Sequence, residues 1–131
     1  MASTDIGTGL LRGLTAAGVL LSAVVHLQLY TEGFKDIATI GPLFMLNAIA
    51  GLLIGTALLI WPHWLTSFVA AGFGAATLAA FYISVTVGLF GLNETASGTP
   101  QVLAEVAEWV ALVFGAALLA TQIRPALAKR R

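Results

Sequence analysis

Charged side chains are scarce in this sequence, and cysteine is absent from it. Of the 131 residues, 9% are charged and 59% are hydrophobic. Soluble domains carry about 25% charged residues, so the surface of this chain is suited to lipid. The lack of cysteine excludes disulfides, thiolate metal sites and iron–sulfur clusters. The length fits one domain over residues 1–131, and we expect the lipid bilayer, and no nucleic acid, as its partner.

Uncharged stretches divide the chain into four candidate membrane spans. Residues 13–31 and 37–93 contain no Asp, Glu, Lys or Arg, and roughly 20 apolar residues are enough to cross a bilayer. The longer stretch is interrupted by WPHW at residues 61–64, where Pro62 ends a helix and the tryptophans are typical of membrane interfaces. The predicted spans are residues 11–30, 41–61, 65–92 and 102–123. They predict an all-α, up-down-up-down four-helix transmembrane bundle.

Basic side chains predict how this bundle is oriented. Four spans place both termini on one side of the membrane, and the basic residues on that side are Arg12, Arg124, Lys129, Arg130 and Arg131. The opposite side holds Lys35 as its single basic residue. Short segments rich in Lys and Arg remain in the cytoplasm, so we expect a plasma-membrane protein with both termini cytoplasmic. Because no clear cleavage site follows the first apolar run, this run is predicted to be a retained span.

Small residues at helical spacing predict which face of each span packs against its neighbours. Helices in lipid associate through small residues that permit close approach. The predicted stripes are Gly18, Ser22 and His26 in span one; Asn47, Gly51 and Gly55 in span two; Gly72, Ala76, Ala80, Ser84 and Gly88 in span three; and Ala104, Ala107, Ala111 and Gly115 in span four. We expect all four stripes to face the interior of the bundle.

Polar side chains on or beside these stripes predict a polar layer in the outer leaflet. At 1.5 Å per residue, His26 and Asn47 each lie about 9 Å below the outer edge, and Ser84 lies about 13 Å below it. The part of span four after Glu108 covers only about 22 Å, so Glu108 is expected about 7 Å inside the membrane. The candidate ligand-binding or titrating residues are His26, Tyr30, Asn47, Ser84, Glu105 and Glu108, with Glu94 in an outer loop.

His26 and Glu108 form the most plausible titrating pair in the sequence. Ionisable residues inside a membrane are costly and are functional candidates, and we expect these two side chains to lie close together. Hydrogen bonding between helices is the structural alternative, and so is snorkelling of the glutamates toward the interface. His26, Glu105 and Glu108 together offer ligands that suit iron, manganese or zinc. The sequence does not decide whether a metal binds there, and it identifies no cofactor.

Two segments carry a resemblance to a known group of proteins. HLQLYTEGFKDIATIGPLFMLNAIAG, residues 26–51, and GLFGLNE, residues 88–94, resemble segments of uncharacterised small four-helix integral membrane proteins of actinobacteria. The topology is also distantly similar to that of DoxX-like proteins. The resemblance implies topology and host, and no activity. It points to His26, Tyr30, Asn47 and Glu94.

Three functions follow from the sequence as hypotheses. The leading one is a non-catalytic membrane protein that binds a lipid-soluble ligand, or a larger membrane complex as an accessory subunit, through the outer-leaflet polar layer. The second is a small proton-coupled transporter or ion channel that uses His26 and Glu108. The third is a quinone- or metal-dependent membrane enzyme. Association with a membrane protein complex and assembly into a homo-oligomer both stay open.

Overall fold

Four long helices form an all-α bundle in the computed structural model, which describes residues 2–130. The helices are α1, Ala2–Thr31; α2, Ile40–Ile60; α3, Trp64–Thr86; and α4, Thr99–Ala128. A short 3-10 helix, Phe34–Asp36, lies between α1 and α2. All four long helices have the length and apolar composition to cross a membrane. The predicted fold class is confirmed, while Arg131, one of the basic residues in the orientation argument, lies outside the described residues.

The helix bounds differ from the predicted spans mainly in α1 and α3. α1 extends further toward the N-terminus than residue 11, since no proline interrupts that segment. α3 ends at Thr86, before the predicted residue 92. Gly88 and Gly91 have φ angles of 88° and 82°, a conformation that ends a right-handed helix and that glycine adopts readily. A tight turn follows the end of α3 as a consequence.

The helices are arranged around the bundle in the order α2, α1, α4, α3. α1 packs closely on α2 and on α4, and α4 packs on α3, whereas α2 and α3 make few contacts. Short connections make consecutive helices antiparallel. We call the end with the connections 32–39 and 87–98 the loop end, and the end with both termini the terminal end. The bundle is therefore open along one side, between α2 and α3.

Glycines permit the close approach of the backbones at the tight interfaces. A Cβ atom on Gly18 of α1 would lie 2.7 Å from the carbonyl oxygen of Ala107 in α4. A Cβ atom on Gly74 of α3 would lie 2.8 Å from the carbonyl oxygen of Glu108. Such distances are too short for any side chain, so both contacts require glycine. The small-residue stripes predicted for α1, α2 and α4 lie at these interfaces and largely face the interior.

The stripe predicted for α3 is wrong in its first half, whereas Ala80 and Ser84 are partly and fully buried. Gly72 and Ala76 are exposed, and a Cβ atom on Gly72 would have no neighbour from the rest of the described chain within 4 Å. The buried residues of α3 are Thr66, Ser67, Ala70, Gly74, Leu78, Phe81 and Ser84. Since α3 is apolar on all sides, its sequence does not select an inner face. The inner face of α3 is instead set by the close approach of Gly74 to the backbone of α4.

Candidate functional site

His26 of α1 and Glu108 of α4 lie side by side inside the bundle. Nε2 of His26 is 3.9 Å from Oε1 of Glu108, which confirms the predicted proximity of these two side chains. Ser22, one turn before His26, donates its hydroxyl to the same Oε1 at 3.2 Å. Glu108 is only 1% exposed. The helix packing therefore holds an ionisable carboxyl group away from both water and lipid.

The backbone of α1 fixes the tautomer of the His26 imidazole. Nδ1 lies 2.8 Å from the carbonyl oxygen of Ser22, and because a carbonyl oxygen only accepts, Nδ1 carries the hydrogen. Nε2 consequently faces Glu108 with a lone pair, or with a second N–H in the imidazolium. The 3.9 Å separation is longer than a hydrogen bond.

Two phenyl rings form a stack at the imidazole, of which only the first contacts it. Phe44 of α2 meets the ring of His26 edge to face, with centroids 4.9 Å apart. Phe34 of the 3-10 helix stacks on Phe44, also at 4.9 Å. The connection between α1 and α2 is thereby packed onto the site. These contacts restrict the position of the imidazole from the α2 side.

A cavity of about 340 Å³ lies at the opening between α2 and α3 and reaches the His26–Glu108 pair. We call it the α2–α3 cavity. Its polar lining consists of His26, Asn47, Thr77, Ser84, Glu94 and Glu108. Its apolar lining consists of Leu43, Phe44, Leu46, Ala50, Phe73, Ala76, Ala80, Phe81, Leu89 and Leu92. Apolar walls with a few polar groups, and a volume of about 300–1,000 Å³, are typical of sites for small ligands.

Two buried oxygen atoms at this cavity have no hydrogen-bond partner among the described residues. They are Oε2 of Glu108 and Oδ1 of Asn47. The hydroxyl of Thr77, which also lines the cavity, donates to the carbonyl oxygen of Phe73 at 2.7 Å. A buried acceptor that lacks a partner costs about 1–3 kcal/mol, so each such atom in a folded protein calls for an explanation. A ligand that donates hydrogen bonds to both oxygens would provide one.

Glu94 reaches the cavity from the connection between α3 and α4. Its Oε2 accepts a hydrogen bond from the Ser84 hydroxyl at 3.1 Å, and its backbone amide donates to the Ser84 carbonyl at 3.2 Å. Burial raises the pKa of the Glu94 carboxyl, and the hydrogen bond from Ser84 acts in the opposite direction with a smaller effect. The predicted residues Asn47, Ser84 and Glu94 are thus brought into one cavity with His26 and Glu108.

Glu105 and Tyr30 lie outside the lining of this cavity. Oε1 of Glu105 accepts a hydrogen bond from the Tyr82 hydroxyl at 2.6 Å, and Nε1 of Trp109 donates to the same hydroxyl at 3.1 Å. The metal hypothesis requires Glu105 to lie beside His26 and Glu108. In the structure its side chain is hydrogen-bonded to Tyr82 instead. Within residues 2–130, no three His, Asp or Glu side chains are grouped in a way that could hold a metal ion.

Several residues of the site, Ser22 beside Glu108 and Thr77 in the cavity lining among them, are absent from the candidates that sequence reasoning identified. Ser22 precedes His26 by four positions and Thr77 precedes Ser84 by seven, so each pair lies on one helix face. That spacing is a signal by which both hydroxyls could have been found. Leu89 and Leu92 line the cavity through the turn after α3, and no periodic pattern predicts their position.

Comparison with protein-family models, curated proteins and solved structures gave no match for this chain. The four candidate membrane spans support a multi-pass protein embedded in a lipid bilayer. Support for a function therefore comes from the geometry of the α2–α3 cavity.

Proposed function

We propose that this protein binds a small lipid-soluble ligand in the α2–α3 cavity and that this role is non-catalytic. The observation that carries the proposal is Oε2 of Glu108, which is buried, without a partner among the described residues, and located on a cavity with apolar walls. Keeping an ionisable group in a membrane interior is costly. A bound ligand that donates a hydrogen bond to Oε2 would offset part of this cost.

The opening between α2 and α3 provides an entry path from the membrane. Leu43 and Leu46 of α2 are 39% and 61% exposed, and both line the cavity. Exposed leucines on a membrane span contact lipid chains. An apolar ligand dissolved in the bilayer therefore reaches the polar groups by moving sideways between the two helices, and it never crosses water.

Extraction of the purified protein tests the proposal. The protein is isolated in mild detergent, and its bound small molecules are extracted and identified by mass spectrometry. We expect a lipid-soluble compound that is enriched in the wild type and lost from the Ala80→Phe variant, whose larger side chain fills the cavity. Ala79→Phe is the matched control, because Ala79 is exposed on the same helix and does not line the cavity. Equal extracts from all three proteins would contradict the proposal.

The charge distribution extends this proposal to the orientation in the membrane. Arg12, Arg124, Lys129 and Arg130 belong to the terminal end, whereas Lys35 belongs to the loop end. By the bias of basic residues toward the cytoplasm, we propose that both termini are cytoplasmic and that the membrane is the plasma membrane. The loop end then faces outward, and Glu94 and the α2–α3 cavity lie toward the outer leaflet.

The resemblance to small actinobacterial four-helix membrane proteins, and distantly to DoxX-like proteins, is retained as part of the proposal. Its two segments, residues 26–51 and 88–94, supply His26, Asn47 and Glu94 to the α2–α3 cavity. We expect the members of this group to share these three residues. Sequencing of close relatives tests this expectation directly.

A second candidate function, as an accessory subunit of a larger membrane complex, is favoured by a different surface. The hydrogen-bonded side chains of Tyr82, Glu105 and Trp109 lie on the outside of α3 and α4, with Tyr82 39% and Trp109 45% exposed. Aromatic residues with polar groups are enriched at protein interfaces. Co-purification of a membrane partner that is lost with Glu105→Gln and kept with Glu108→Gln would support this role. Equal recovery with both variants would contradict it.

A further inference from the structure

The ionisable groups around the α2–α3 cavity are unevenly balanced. Two carboxyl groups, those of Glu94 and Glu108, line it together with one imidazole, that of His26. None of the described lining residues is a lysine or an arginine. If His26 compensates one carboxylate, the second has no cationic partner in the lining. With both carboxyl groups ionised, the cavity is therefore complementary to a ligand that carries positive charge.

The two unpartnered oxygens define the hydrogen bonding that a ligand must supply. Oε1 of Glu108 is already in contact with Ser22 and His26, which leaves Oε2 for another donor. Oδ1 of Asn47 is an acceptor as well. Both atoms are buried and lack partners among residues 2–130. A group with at least two hydrogens on one nitrogen offers a donor for each oxygen, whereas an ether, ketone or carboxylate offers none.

Aromatic rings supply the third element of recognition. Phe44, Phe73 and Phe81 line the same cavity. The face of an aromatic ring attracts an ammonium group that lies within about 6 Å, and the attraction strengthens when water is excluded. The remaining walls are leucine and alanine side chains, which suit a hydrocarbon tail.

We propose that the ligand of the α2–α3 cavity is a lipid-soluble amine that binds as its ammonium ion, with the N–H groups donated to Glu108 and Asn47 and the hydrocarbon part directed between α2 and α3. This inference rests on the proposed function, because it names the chemical class of the ligand. Charge, donor count and aromatic lining together support it.

Three probes of equal chain length separate the alternatives. Octylamine, octanol and octanoate differ only in their head groups, and at pH 7 the amine is a cation. Binding to the protein in lipid nanodiscs is measured by equilibrium dialysis, and binding to the Ala80→Phe variant in identical nanodiscs is subtracted to remove partition into lipid. We expect octylamine to bind at least about tenfold more tightly than octanol, a difference of about 1.4 kcal/mol. Octanoate is expected to show no binding above the Ala80→Phe background.

Variants then assign the preference to particular atoms. Glu108→Gln keeps the shape of the side chain and removes its charge, so octylamine should lose its advantage over octanol. Asn47→Leu removes the second acceptor, so it should also reduce the preference for octylamine over octanol. This variant provides the test if Glu108→Gln fails to fold. Glu105→Gln changes a carboxyl outside the cavity and should leave the binding of all three probes unchanged.

The outcomes distinguish this inference from the function on which it rests. Octanol binding equal to that of octylamine, with no effect of Glu108→Gln or Asn47→Leu, would overturn the amine and leave a site for neutral lipid-soluble ligands. Preferential binding of octanoate would also overturn the amine. If no probe distinguishes the wild type from Ala80→Phe, the α2–α3 cavity is not a ligand site and both proposals fail.

Discussion

Nε2 of His26 faces Oε1 of Glu108 across 3.9 Å of the bundle interior, in an orientation that the Ser22 carbonyl sets through Nδ1. α1 and α4 thus contribute one titratable group each, and their antiparallel packing brings the two together. The α2–α3 cavity reaches both groups from the open side of the bundle.

The His26–Glu108 contact predicts non-additive stability effects. In each single variant, His26→Leu or Glu108→Leu, the remaining polar group is buried without its partner. The double variant removes both groups, so its loss of stability should be smaller than the sum of the single losses by about 1–3 kcal/mol. Unfolding of the four proteins in detergent micelles, followed by circular dichroism, measures this coupling. Strictly additive losses would show that the two side chains do not interact.

Two glycines on α3 predict opposite effects of the same substitution. Gly74→Ala places a Cβ atom 2.8 Å from the backbone of α4, so the helices must separate, at a cost of about 1–3 kcal/mol. Gly72→Ala meets no other part of the described chain and gains up to about 1 kcal/mol of helix propensity. Melting temperatures in detergent should therefore fall for Gly74→Ala and stay level or rise for Gly72→Ala. The reverse order would restore the stripe that the sequence predicted for α3.

Glu94 predicts a pH dependence of stability. Burial raises the pKa of its carboxyl in the folded state, so on titration upward from about pH 4.3 the unfolded chain releases its proton first. The native state then binds more protons than the unfolded state, and stability falls as the pH rises toward the folded pKa. Below about pH 4.3, Glu94 is protonated in both states, and its full contribution to the stability of the folded state is present.

Comparison of variants isolates this contribution from those of other groups. Glu94→Gln cannot titrate, so its melting temperature should decline less than that of the wild type between pH 4 and pH 8. Glu32→Gln is the control, because Glu32 is exposed. Identical pH profiles for the wild type and Glu94→Gln would show that Glu94 is solvated in the folded protein.

The orientation proposal predicts which introduced cysteines are accessible from outside the cell. The chain has no native cysteine, so Thr31→Cys, Ser97→Cys and Ala128→Cys each carry a single thiol. A membrane-impermeant maleimide applied to intact cells should label positions 31 and 97 and should not label position 128. Permeabilised cells provide the control, in which all three positions react. Labelling of position 128 alone in intact cells would invert the orientation.

Part of the candidate site follows directly from the sequence. The depth of His26 and of Glu108 along their spans can be estimated from the rise per residue, because both spans end near identifiable charged or turn-forming residues. The small residues of α1 and α4 then indicate the faces that meet. Depth and face together place the two side chains beside each other, as they are in the structure.

Other parts of the site depend on contacts that no local pattern describes. Glu105 and Glu108 lie on one face of α4, about 4.5 Å apart in depth, yet only Glu108 is buried against α1. Glu105 instead accepts a hydrogen bond from Tyr82 of α3. The rotation of α4 about its axis decides between the two glutamates, and this rotation results from packing against two helices at once.

The sequence by itself determined the solvent, the number of helices and their approximate positions, because charge content and hydropathy act locally along the chain. The tertiary structure decided which face of α3 is buried and where the bundle stays open. A helix that is apolar on every side has no preferred inner face in lipid, since lipid and protein interior are equally apolar. Only the fit of Gly74 against the backbone of α4, and the few contacts between α2 and α3, define the cavity and the polar groups that line it.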